Sequence, residues 1–161
     1  MKGITLIEII ISIIVFAVII IPLMNVFATV SRDTASGIFI NRASTLANSY
    51  VELVLTRSFD ENASSPFADP ADLGPDSGES AVTDYDDVDD FKGYVFTDSD
   101  YPDLSGEIDV YYITDPDLTG DWDSISLSST NYKRIDVTVT HPQLGTITVV
   151  NGVTYAAHTT K

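Results

Sequence analysis

The sequence predicts an α+β protein, in which a long N-terminal helix, membrane-spanning in its first half, packs on a C-terminal antiparallel sheet. Three observations predict this class. An apolar run from Ile9 to Met24 is interrupted only by Ser12 and Pro22. Beyond it, Phe39, Ala43, Leu46, Tyr50 and Leu53 recur at alternating four- and three-residue steps, which is one stripe of a helix. Several later segments alternate apolar and polar residues with the period of two that a half-buried strand requires.

The elements follow in order. About 20 helical residues at 1.5 Å each cross the apolar core of a bilayer, so a helix over residues 4–26 is long enough to span it. Lys2 before it and Arg32 after it orient it only weakly. Residues 27–57 continue as an amphipathic helix into the head, with Arg42, Asn48, Glu52 and Arg57 away from the apolar stripe. Pro22 removes a backbone donor, Gly37 loosens the helix, and Asp33 or Ser36 restarts it, so the expected helix is discontinuous. Residues 58–92 turn to Asp, Ser, Pro, Gly and Ala, with turn signals at Ser65-Pro66, Asp69-Pro70 and Gly74-Pro75. No apolar period survives there, and a long acidic surface loop is expected.

Residues 93–161 read as sheet. Gly93 to Thr97 is a short strand, while Glu107 to Thr114 and Lys133 to His141 alternate through Ile108, Val110, Tyr112 and through Ile135, Val137, Val139. Thr146 to Val150 and Val153 to Ala157 flank Asn151-Gly152, a favoured two-residue hairpin turn, so two strands are expected there. About 130 residues outside the anchor suffice for one modest core. The chain has no cysteine, which excludes disulfides, thiolate metal sites and a cysteine nucleophile.

Glu8 is the informative residue of the anchor. An acidic side chain at mid-bilayer costs roughly 2.5 to 3.5 kcal/mol on insertion scales, and less near a helix end, so it needs a reason. A cleavable secretory signal, cut after Ala28 in Val26-Phe27-Ala28, has no use for it, and neither has a simple bitopic anchor. The segment Lys2-Gly3-Ile4-Thr5-Leu6-Ile7-Glu8 resembles the prepilin signature of type IV pilins and of the related type II secretion pseudopilins. The resemblance implies a leader of residues 1–3, cleavage between Gly3 and Ile4 by a membrane prepilin peptidase, and N-methylation of Ile4. It implies further that Glu8, then the fifth residue, pairs during assembly with the Ile4 amine of a neighbouring subunit. Coulombic attraction is large where water is scarce, so such a pair sets register. It covers about the first thirty residues, and Pro22 stands a few residues earlier than the proline many members carry.

The formal charge of −16 is concentrated between Asp60 and Asp123, which hold all the acidic residues except Glu8, Asp33, Glu52 and Asp136, with Lys92 as the one base. Such a surface repels nucleic acid and anionic lipid, and favours cations or basic proteins. Two stretches suit calcium as hard oxygen donors: Asp84, Asp86, Asp87, Asp89 and Asp90, and Asp115, Asp117, Asp121 and Asp123. Each also reads as a solvated loop, and the second lacks the bidentate Glu, with Ser126 in its place. The stretch Asp86-Asp87-Val88-Asp89-Asp90-Phe91-Lys92-Gly93-Tyr94 looks like a loop of minor pilins related to the mannose-sensitive haemagglutinin pilus. His141 and His158 adjoin no other ligand-type residue, and no phosphate loop or serine elbow occurs, so no enzyme is expected.

The function expected is a structural subunit of a type IV pilus, a minor pilin or pilin-like protein. It would be anchored once in the inner membrane, with a periplasmic head, before joining other pilin subunits through its N-terminal helix. The alternatives are a type II secretion pseudopilin and an unprocessed, membrane-tethered, calcium-dependent binding module.

Overall fold

The computed structural model describes residues 5–62, 65–115, 122 and 124–156. They belong to two compact units, Met1–Phe39 and Ile40–Lys161. Helix α1 runs unbroken from Leu6 to Leu55. The expected discontinuity is therefore absent. Pro22 removes one bond of the helical ladder and Gly37 costs about 1 kcal/mol relative to Ala, yet the bonds on either side of each hold the backbone helical. In the first unit every described side chain from Thr5 to Ala35 is exposed.

In the second unit Ala43, Ala47, Val51 and Val54 form the buried line of α1. This line shares only Ala43 with the stripe read from the sequence. Leu46, Tyr50 and Leu53 of the expected stripe are half-buried here, and Phe39 belongs to the first unit. Small Ala and Val side chains let helix and sheet approach closely, while the larger residues reach around the contact. Tyr50 stacks on Phe96 with ring centroids 3.7 Å apart. Arg42 Nε donates to Asp98 Oδ2 at 2.9 Å, and its guanidinium lies 5.0 Å from the centroid of the Tyr101 ring.

The sheet has four strands, β1 (Tyr94–Thr97), β2 (Ser105–Tyr112), β3 (Tyr132–His141) and β4 (Gly145–Tyr155), antiparallel and in sequence order. Ile108, Val110, Tyr112, Ile135, Val137 and Val139 face inward with no exposure. Phe96 lies across Gly106, where any Cβ would sit 2.1 Å from its ring. The hairpin expected at Asn151-Gly152 is a correction, because both residues lie inside β4 opposite Asp136 and Ile135. A Cβ on Gly152 would meet Val51 Cγ1 at 2.8 Å, so this glycine admits the helix rather than turning the chain. Asn151 instead completes a polar ladder: with its amide turned so that both neighbours are satisfied, it donates to Asp136 Oδ1 at 3.1 Å and accepts from Arg134 Nη2 at 2.9 Å.

The acidic segment after α1 is packed rather than purely superficial. Leu73, Tyr85, Val88 and Phe91 are buried, and Asp89–Phe91 forms one 3₁₀ turn. Ser58 and Asp87 form an isolated parallel bridge, with Val88 N donating to Ser58 O at 3.0 Å.

Candidate functional site

Each of the two units holds one set of candidate residues. Glu8 occupies the first turn of α1. With Ser12, Ile9, Ile13, Phe16 and Ala17 it lines a shallow groove along the helix. The hydroxyls in and beyond the apolar run bond back into the helix: Ser12 Oγ donates to Glu8 O at 2.7 Å and Thr29 Oγ1 to Asn25 O at 3.0 Å. This is how polar side chains become tolerable in hydrocarbon. Among the described residues α1 is the one helix long and apolar enough to cross a membrane. Gly3 and Ile4, the residues expected at the cleavage point, lie outside the described residues.

The head contains a buried ionic cluster. Lys133, on β3, shares the inward parity of Ile135, Val137 and Val139 and is fully buried. Its ammonium donates to Phe59 O at 2.6 Å and to Asp60 Oδ2 at 3.2 Å, and forms an ion pair with Asp89 Oδ1. The Phe59 and Tyr112 ring centroids lie 4.6 and 5.3 Å from Nζ. Such rings stabilise a cation that has lost its water.

The carboxylates are fixed by the backbone. Asp60 accepts from the amides of Asn62 and Ala68, each at 3.0 Å. Burial pushes its carboxyl up, but these amides and Lys133 together hold it below the ordinary range. Asp87 accepts from the amides of Asp89 and Glu61, each at 2.8 Å. Burial, then the hydrogen bond to Asp89 and the charges of Asp89 and Asp90, push Asp87 up to about 8. Asp90 Oδ2 accepts from the amides of Asp86 and Asp87, each at 2.9 Å.

The five aspartates expected to form a calcium loop therefore divide. Asp84 and Asp86 are exposed, whereas Asp87, Asp89 and Asp90 are buried. Among the described residues the carboxylates that converge closely enough to share a cation are Asp76, Glu79 and Asp90, a grouping the sequence does not suggest. Of the second stretch, Asp115 is half-buried, and Asp117, Asp121 and Asp123 lie outside the described residues, as does His158. Lys133 and Asp60 escape a motif search, although a lysine at an inward strand position is itself a signal. Comparison with family models, with curated proteins and with solved structures returns no match.

Proposed function

We propose that the chain is a structural subunit of a type IV pilus, a minor pilin or pilin-like protein. It is processed between Gly3 and Ile4 by prepilin peptidase, held in the inner membrane by the first half of α1 with its head in the periplasm, and then assembled through that helix. The observation that carries this reading is Glu8, the sole acidic residue between Met1 and Arg32, placed in the first turn of an exposed apolar helix. A carboxylate there suits a new α-amino group, and mutual neutralisation removes the cost of two isolated charges in an apolar bundle. Leaving the bilayer is offset because the same apolar surface is buried among neighbouring helices. Work of this kind is mechanical, and no catalytic residue is assigned.

The experiment is a Glu8→Val substitution in cells that assemble the filament. Membrane insertion should persist, because the apolar run is unchanged, while recovery of the subunit in sheared filaments should fall at least tenfold. Wild-type incorporation of this variant would overturn the assembly mechanism.

A further inference from the structure

The Lys133 cluster holds more acid than its one cation can neutralise. Asp60, Asp87, Asp89 and Asp90 are each at most 6 % exposed, and Lys133 is 0 % exposed. A desolvated interior does not sustain so many unbalanced carboxylates, so protons are retained within the group. Asp87 Oδ1 accepts from the amide of Asp89 at 2.8 Å, and burial beside the charges of Asp89 and Asp90 raises its carboxyl so that it retains a proton. Asp89 is at once the ion-pair partner of Lys133. An amine, a carboxyl and a proton-bearing acid are thus held together in an apolar wall formed by Phe59 and Tyr112.

We propose that Lys133 and Asp89 condense into an intramolecular isopeptide bond, with Asp87 as the assisting acid. The Lys133 ammonium passes one proton to the Asp89 carboxylate with which it is paired, and the freed Nζ lone pair attacks Cγ of Asp89. Asp87 donates its hydrogen bond to the Asp89 oxygen that will leave. As the Cγ–O bond breaks, that oxygen carries away the proton received from Lys133 together with one from Asp87 and departs as water. The second proton shed by Nζ returns to Asp87. The sum is an ammonium and a carboxylate converted into an amide and one water, with no oxidant or cofactor. Proximity supplies the acceleration, because both partners are held by the fold before reaction.

Asp60 is not the acyl partner. Its two oxygens are occupied by the amides of Asn62 and Ala68, which keep it ionised and resistant to attack. The product would tie two residues 44 positions apart and close a loop that contains β1 and β2, a covalent tie in a chain without cysteine. This inference is independent of the filament reading.

The test is intact-mass and peptide mapping of the full chain extracted in detergent. The mass should fall short of the sequence by one water, after allowance for whatever the N-terminal peptide itself shows. Digestion should yield one branched peptide joining the segment of Asp89 to that of Lys133. Lys133→Arg and Asp87→Asn should each restore the full mass and abolish the branch. Wild-type protein returning Lys133 in a linear peptide would overturn the proposal whatever the variants do, and this readout stands even where a variant does not fold. A branch to Asp60 would overturn the choice of acyl partner, and an Asp87→Asn protein branched to the wild-type extent would overturn the role of Asp87.

Discussion

Lys133 is the residue on which the head's interior turns, because its Nζ joins Phe59 O, Asp60 and Asp89 beneath the sheet. Lys133→Met keeps the volume but strands the acids and removes the tie to Asp89, so unfolding in urea should show a loss of at least about 3 to 5 kcal/mol. Asp87 gives the pH dependence its sign. Its folded carboxyl, raised to about 8 from 3.8, binds its proton more tightly than the unfolded chain does. Stability contributed by that proton is complete below about pH 4, declines as pH rises to about 8, and is gone above it. Denaturation midpoints measured across this window should fall with pH, and Asp87→Asn should flatten the slope. A midpoint that rises across the window in wild type would contradict the assignment. The sequence does expose Lys133, since it shares the parity of Ile135, Val137 and Val139. It does not expose the acids' partners, because Asp60 and Asp89 meet Lys133 only through tertiary folding.

At the scale of elements, the helix and strands β2 and β3 are legible because their periodicities are long and regular. Errors fall where a local signal has a second meaning. Asn151-Gly152 carries the chemistry of a hairpin, but Gly152 is small because Val51 presses on it, and Asn151 bonds Asp136 and Arg134. Gly152→Val should therefore force helix and sheet apart at a cost of about 1 to 3 kcal/mol, measurable by chemical denaturation. Wild-type stability in that variant would mean that β4 yields freely to the intrusion. The buried line of α1 escapes the stripe reading for a related reason. Ala43 and Ala47 are weakly apolar, and only contact with the sheet selects them over Leu46 and Tyr50. The acidic segment hides its packing because Leu73, Tyr85, Val88 and Phe91 are too irregularly spaced to form a period.

For the whole molecule, charge and apolarity are segregated along the chain. From Thr5 to Ser31 the first unit exposes a helical surface whose one charged residue is Glu8, while the second unit carries nearly all the acid. The membrane-compatible helix is legible from composition alone, and Glu8 stands out by contrast with it. The calcium expectation is less legible, since spacing along a loop does not reveal which carboxylates turn inward. The account as a whole depends on the fate of the N-terminus. The most direct measurement is the mass of the N-terminal peptide from cells that contain prepilin peptidase. It should begin at Ile4, lack Met1 to Gly3 and carry one added methyl group. A peptide that begins at Met1, or one that begins beyond Ala28, would contradict the account.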